Sequence, residues 1–298
     1  MVFVEDREIV EARILLDGIV PAGTLLRGCL ERSGMQLFLK VDAQHYLLPD
    51  GAHGVADGAN LTAEVTREKI PGAEPWKRPL ARVVHVSKED APWKGRELPI
   101  ATKNEFDDAG WDDLIEEARS GIVGFEGGEL RIFATPAMTL IDVDGTIEPL
   151  RLAVNAARAI ARAIPRLAIG GSIGIDFPTL DGRDHRSAVA REIDRALPRP
   201  FERTALNGFG FLQIVRPRRH ASLLELAHDR AQFEARDLLR RIAKGHAGSK
   251  RIVAHPALIA VVETRPDWLD ALARQLGGAV SLRADPALHI SAGHAEPA

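Results

Sequence analysis

The 298-residue sequence has one cysteine, Cys29. A lone thiol excludes an intrachain disulfide, and it excludes a cysteine-built zinc site within one chain. A reducing, cytoplasmic setting is the expectation that follows. No stretch approaches the roughly 20 apolar residues that a membrane helix needs. The opening MVFVEDREIVEARILL is acidic and has no long apolar core, which argues against a secretory signal. Aromatic residues are scarce at 5%, so aliphatic side chains must build the core. There is no global excess of positive charge. The formal net charge of -3 argues against a histone-like polyanion binder, but it leaves room for a local basic groove. Internal repeats are absent as well.

What is present reads as an ordinary globular balance of 45% hydrophobic and 27% charged residues, with enough length for more than one folding unit. Residues from about 1 to 20 read as one or two strands. Between Gly23 and Val84, the segments GTLLRGCLE, MQLFLKV, HYLLP, NLTAEVTRE and RPLARVV predict five strands. Turn signals at Ser33-Gly34, Pro49-Asp50-Gly51 and Asp57-Gly58 separate them. Five short strands in so little chain suit a small OB-type β-barrel. A polar connector without regular structure is expected from about 85 to 110. Beyond it the order is a helix in WDDLIEEARSG, strands in ELRIFAT and AMTLIDVDG, and an amphipathic helix in EPLRLAVNAARAIARAIPRLA. A strand in GSIGIDFPTL, a helix in RDHRSAVAREIDRALP and a strand in FLQIVRP follow, which makes an α/β domain. One helix is expected from about 222 to 244, then a small α/β appendage and a frayed tail after about 290.

Two strand ends carry candidate chemistry. TLIDVDG ends with Asp142 and Asp144, and GSIGIDF ends with Asp176. Residues two apart on a strand share a face, so Asp142 and Asp144 can line one wall. In open α/β sheets, ligands bind at the carboxyl ends of strands. Carboxylates gathered there repel one another, and a hard divalent cation such as Mg²⁺ relieves that repulsion. The plainer reading takes Asp144-Gly145 as a turn pair. Charge is also segregated. Residues 151–251 hold 20 Lys/Arg against 10 Asp/Glu, which leaves the rest of the chain acidic. Arg183, Arg186 and Arg191 follow Asp176 on a predicted helix, and Arg216, Arg218 and Arg219 follow the next strand. Such an excess beside carboxylates favours a phosphate-bearing partner; the alternative is a set of solvated helix faces.

Several of these stretches resemble the RNase E/G family of endoribonucleases. LIEEARSGIVGFEGGELRIFATPAMTLIDVDG resembles the family's run from a helix, through a glycine turn and hairpin, into its first catalytic strand. IARAIPRLAIGGSIGIDF resembles the next element, and RDHRSAVAREIDRAL with FGFLQIVRPRR resembles the basic helix and the FGLLE-x-x-R-x-R strand. The match runs unbroken from about 113 to 219. The resemblance implies that Asp142 and Asp176 hold Mg²⁺ (or Mn²⁺), with Asp142, Asp144 and Asp176 catalytic. Asp144 stands where the family has asparagine. It further implies cleavage of single-stranded RNA to 5′-phosphate and 3′-hydroxyl ends. GTLLRGCLERSGMQLFLKV and NLTAEVTREKIPGAEPWKRPLARV resemble the family's RNA-binding barrel, in which Phe38 and Tyr46 would stack on bases; Phe38 reads equally well as a core residue.

The architecture implied by the resemblance is an RNase H-like subdomain and connector from residues 1–20 with 85–135. An OB-type RNA-binding barrel, 21–84, is inserted into it. A DNase I-like α/β catalytic domain, 136–220, follows, and then a helix with a small α/β appendage, 221–298. The family's Cys-Pro-x-Cys zinc link has no counterpart in RRHASLLELAHDRAQFEARDLLRR, which excludes a zinc-linked dimer by that route and implies no structural zinc. His220, His228 and His246 read as surface histidines. The 5′-end sensor is reduced to the connector.

Two other functions stay open at this stage. A non-catalytic RNA-binding relative would keep the fold and lose the chemistry. TLIDVDGTI also fits the haloacid-dehalogenase-type phosphatase signature, with Asp142 as nucleophile, Asp144 as acid/base and supporting roles for Ser172, Lys250, Glu263 and Asp267. That signature usually opens its domain, whereas here about 130 residues precede it.

Overall fold

The computed structural model describes residues 1–72, 77–84, 95–96 and 105–298. Much of the expected connector, 85–94 and 97–104, lies outside the described residues. The chain divides into two compact units. One comprises residues 1–3, 10–95 and 120–223, and the other 4–9, 96–119 and 224–298.

The first elements are strands β1 (Val2–Glu5) and β2 (Glu8–Ala12), which form a two-stranded sheet. After them β3 (Leu25–Ser33), β4 (Gln36–Val41), β5 (Gln44–Leu47), β6 (Asn60–Arg67) and β7 (Leu80–Val83) form a closed barrel in the order β3-β4-β5-β7-β6. All five strands fall where the turn residues predict them, and the closed barrel agrees with the OB-type expectation. Gly34, at φ 60°, makes the tight turn between β3 and β4. Along β6 the alternation Leu61, Ala63, Val65 points inward, where these residues meet Leu30, Leu39, Tyr46 and Leu48. Gly28 allows close strand approach, because a Cβ there would sit 2.3 Å from the Lys40 carbonyl oxygen.

Two helices, α1 (Glu105–Asp108) and α2 (Trp111–Ser120), precede the main sheet. Its elements in chain order are β8 (Ile122–Phe125), β9 (Gly128–Ala134), β10 (Thr139–Gly145), α3 (Pro149–Arg166), β11 (Gly171–Asp176), α4 (Arg183–Ala196), β12 (Glu202–Arg203) and β13 (Phe211–Arg216). The six strands lie in the order β12-β13-β11-β10-β9-β8. Only the central pair, β10 and β11, is parallel, and α3 provides the crossover that a parallel pair requires. Helix α3 starts sharply because Pro149 occupies its first turn and the Glu148 carboxylate accepts from the Leu150 and Arg151 N–H groups. Its alanine-rich face (Ala153, Ala156, Ala157) is fully buried and packs on β8, β9 and β10, with α4 alongside. Glu192 of α4 accepts from Arg158 of α3 and from Arg195, which pulls its carboxyl down to about 2.

Alternation sorts the sheet into two faces. Ile141, Val143, Ile173 and Ile175 turn into the core, each contributing about 1.5–3 kcal/mol on burial. The opposite face carries Asp142 and Asp144 together with the exposed side chains of Phe133, Leu140 and Val215.

The second unit contains most of α2 and the remaining elements: α5 (Leu223–His228, apart from its first residue), α6 (Arg230–Ala243), β14 (Lys250–Ala254), α7 (Pro256–Glu263), α8 (Pro266–Leu276), β15 (Val280–Ala284) and β16 (His294–Pro297). The sheet order is β15-β14-β16, and Leu238, Ile252, Leu258, Val262 and Leu276 pack at its core. Two expectations are corrected here. The single helix foreseen over 222–244 is broken, because the Asp229 side chain caps a new helix by accepting from the Gln232 N–H. The tail foreseen as frayed is a strand, since residues 294–297 pair antiparallel with β14.

A buried ion pair fixes α2 to α6. Arg119 donates to both Glu234 oxygens at 2.7 and 3.0 Å, and Glu234 is 1% exposed. Burial opposes the Arg119 charge, but its hydrogen bonds with Glu234 and Glu116 outweigh that and hold the guanidinium above its ordinary value. Among the described residues, Glu234→Ala would leave Arg119 with only Glu116 and Asp237 as carboxylate partners and is expected to cost about 1.5–3 kcal/mol. Urea unfolding followed at β14 by hydrogen exchange measures this, and a loss below about 1 kcal/mol would contradict it.

Candidate active site

Parallel pairing makes Asp142 and Asp176 direct register partners. Neighbouring strands run about 4.8 Å apart and partners share a face, so the two carboxylates stand side by side. Asp142 is partly buried and Asp176 is exposed. Burial raises the Asp142 carboxyl above its usual range, and the charges of Asp144 and Asp176 raise it further, against the Val143 N–H and Arg131. This is the electrostatic signature of a donor set short of positive charge.

Asp144 behaves differently. Its Oδ2 lies 3.4 Å from Nε of Arg131, on β9, whose Cα pairs with that of Asp142. Arg131 is in turn held by Glu129 at 2.9 Å. Among the described residues no group of three or more His, Cys, Asp or Glu side chains could together hold a metal ion. The expected three-carboxylate cluster is therefore, in this structure, a pair plus an arginine-engaged neighbour. Asp144 and Gly145 continue β10 and do not form a turn. Glycine is needed there for close approach, since a Cβ on Gly145 would meet the Gly127 carbonyl oxygen at 2.5 Å. A pair of carboxylates is a donor set that suits Mg²⁺, which commonly takes one or two and fills its remaining positions with water and phosphate oxygens.

The arginines are split between two places. Arg183 begins α4 and is exposed, as is Arg191; Arg186 donates to the Leu180 carbonyl at 3.1 Å. These three follow Asp176 directly. Arg216, Arg218 and Arg219 lie at the far end of β11, because Arg216 pairs with Gly171 while Phe211 pairs with Asp176. Five residues of strand separate the two ends, ~17 Å at ~3.3 Å per residue.

Three sequence readings are corrected. Phe38 and Tyr46 are 6% and 4% exposed, so neither presents a face for base stacking, which needs exposed aromatics. The Arg78 guanidinium covers the Phe38 ring at 5.6 Å, and Tyr46 belongs to the barrel core. His220 is not a surface histidine. Burial, then the charge of Arg13, lowers it to about 4, with Arg219 and Arg216 adding to the shift. His228 and His246 are exposed as expected.

Sequence reasoning missed Arg131 and Phe209. The pairing of Arg131 with Asp142 is invisible along the chain. Phe209 is 87% exposed on a turn where the Asn207 side chain accepts from the Phe209 and Phe211 N–H groups. That turn lies beside Asp176, since the Phe177 N–H donates to Gly210. The F-G pair inside FGFLQIVRPRR was the available signal.

Residues 80–219 match the Ribonuclease E/G family. Ribonuclease G of Escherichia coli (strain K12) is 33% identical over 113 residues, covering 34% of this chain and 23% of that protein. Ribonuclease G of Haemophilus influenzae is 32% identical over 131 residues, covering 40% and 27%. The segment 80–219 belongs to the Ribonuclease E/G family. The chain spans about a quarter of the length of these relatives. The Ribonuclease E/G match takes in every strand of the six-stranded sheet, both paired aspartates and the far-end arginines. No helix among the described residues is long and apolar enough to cross a membrane.

The depressed His220 has a consequence for stability. A histidine that resists protonation when folded contributes fully above its unfolded value of 6.5, and that contribution falls as pH drops from 6.5 toward 4. Wild-type stability should decline across that window by up to about 1.4 kcal/mol per pH unit from this group. His220→Gln should decline less, measured by urea unfolding at several pH values. Parallel curves for the two proteins would refute the assignment.

Proposed function

We propose that this chain is a divalent-metal-dependent endoribonuclease that cuts internal phosphodiester bonds of single-stranded RNA, leaving 5′-phosphate and 3′-hydroxyl ends. The observation that carries the reading is the Asp142–Asp176 register pair on the bare face of the sheet, within the region matched to the Ribonuclease E/G family. Asp142 and Asp176 would hold Mg²⁺ (or Mn²⁺). When bound, such an ion supplies charge neutralisation at the phosphodiester and a more acidic bound water. The side chains have complementary tasks. Asp142, with its raised proton affinity, and Asp144 set the negative potential of the site. Arg131 moderates Asp144 and offers a cation within reach of a phosphate oxygen. Arg183 and Arg191 face solvent on the helix after Asp176 and attract the backbone. The finer partition into RNase H-like and DNase I-like subdomains goes with this family reading, as does a reducing cytoplasmic setting.

One observation favours a second reading. The ion pair between Asp144 and Arg131 engages the group that replaces the family's asparagine, which suits an RNA-binding relative without chemistry.

A fluorescent single-stranded RNA incubated with protein and Mg²⁺ separates the two. Cleavage is expected, and Asp142→Asn or Asp176→Asn should each reduce it by more than about 100-fold, beyond the loss expected for an outer-shell partner, with RNA affinity preserved or improved. RNA bound tightly but left intact by the unmodified protein would establish the non-catalytic reading. Phosphate release from a simple monoester, with RNA untouched, would point to the phosphatase chemistry.

A further inference from the structure

The basic residues at the far end of β11 are packed against the barrel. The Glu68 N–H, just past β6, donates to the Arg219 carbonyl at 2.8 Å. The Glu68 carboxylate is already committed, because it accepts from Arg13 and from the Ala22 N–H. Beside it Arg67, the last residue of β6, donates one Nη to the Arg78 carbonyl at 2.7 Å, but its Nε is buried without a hydrogen-bond partner among the described residues. Arg216, at the end of β13, has a buried Nη1 in the same condition. Gly170 and Gly171 make room for the chain that follows Arg216. A Cβ on the first would lie 2.7 Å from the Pro217 carbonyl, and one on the second 3.4 Å from Arg218 Cδ.

Two guanidinium N–H groups withdrawn from water without acceptors cost free energy. The Arg218 charge also opposes that of Arg67. Burial and then the Arg218 charge hold Arg67 below its ordinary value, and burial does the same to Arg216 against a modest pull from Glu11. An anion with several oxygens relieves both problems at once. Phosphate is the group best matched to the planar fork of arginine.

We infer that Arg67 and Arg216, with Arg218 beside them, form a phosphate-binding site at the junction of barrel and sheet that takes a backbone phosphodiester of RNA several nucleotides from the paired aspartates. The inference rests on the RNA reading above and adds a second, separate point of attachment. Its basis is the pair of unsatisfied buried donors and their placement at the opposite end of β11 from Asp176. Occupying the site would tie barrel to sheet through the ligand as well as through the Glu68–Arg219 bond.

The test is oligouridine lacking terminal phosphates, bound to the full chain in EDTA so that no cleavage occurs, with affinity measured across about 50–200 mM salt. Arg67→Gln and Arg216→Gln should each weaken binding roughly 10-fold and lower the slope of log affinity against log salt by about 0.7. Arg67→Lys should keep the slope while losing part of the affinity, since it retains the charge without the fork. Thermal unfolding without RNA checks that the Gln variants are folded; where one is not, the lysine variant provides the reading. Slopes unchanged in the folded Gln variants, or affinity unchanged in Arg67→Lys, would overturn the site and leave the nuclease reading intact, whereas failure of the unmodified chain to bind would sink that reading itself. Inorganic phosphate that stabilises the wild type but not the variants, with no competition from oligouridine, would overturn RNA as the occupant.

Discussion

The repulsion between two neighbouring carboxylates is the constraint around which the six-stranded sheet is organised. Parallel pairing of β10 with β11 leaves Asp142 and Asp176 no freedom to part, because their Cα atoms are register partners. The sequence provides for this closeness on every side. Isoleucines at 141, 173 and 175 lock the inner face, alanines let α3 lie close beneath, and Gly145 admits the Gly127 carbonyl where any side chain would collide. A raised Asp142 is the electrostatic result of burial and like charge. A cation beside the pair would relieve that repulsion.

Charge is sorted along a single strand. β11 begins among arginines and ends at a carboxylate, so its two ends present opposite potentials. At the carboxylate end the aspartates repel a phosphate while Arg183, Arg191 and Arg131 nearby attract it. That polarity suits the proposed chemistry, in which the basic end holds and the acidic end requires a metal. Barrel and sheet meet at the basic end through the Glu68–Arg219 main-chain bond.

Local signals were legible in the sequence and non-local ones were not. Turn residues delimited the five barrel strands, and the alternation in TLIDVDG assigned the faces of β10 correctly. Both aspartates of the register pair were identified from their strand ends. What failed depended on partners distant along the chain. Phe38 could not be judged without Arg78, which covers its ring from another part of the barrel. His220 looked like a surface residue until Arg13, from near the N-terminus, was found beside it. Residues 294–297 carry no strand pattern of their own, and pairing with β14 imposes the conformation. That Asp144 has Arg131 as a neighbour is likewise visible only in the registration of β9.

The main-chain ladder between β10 and β11 sets the Cα spacing of Asp142 and Asp176. A strand ladder holds that spacing more tightly than it holds the identity of the side chains it carries. What can differ at such a position is the chemical group it presents. An aspartate at 144, where asparagine is expected from the resemblance, is the kind of variation such a rigid frame leaves open to natural selection.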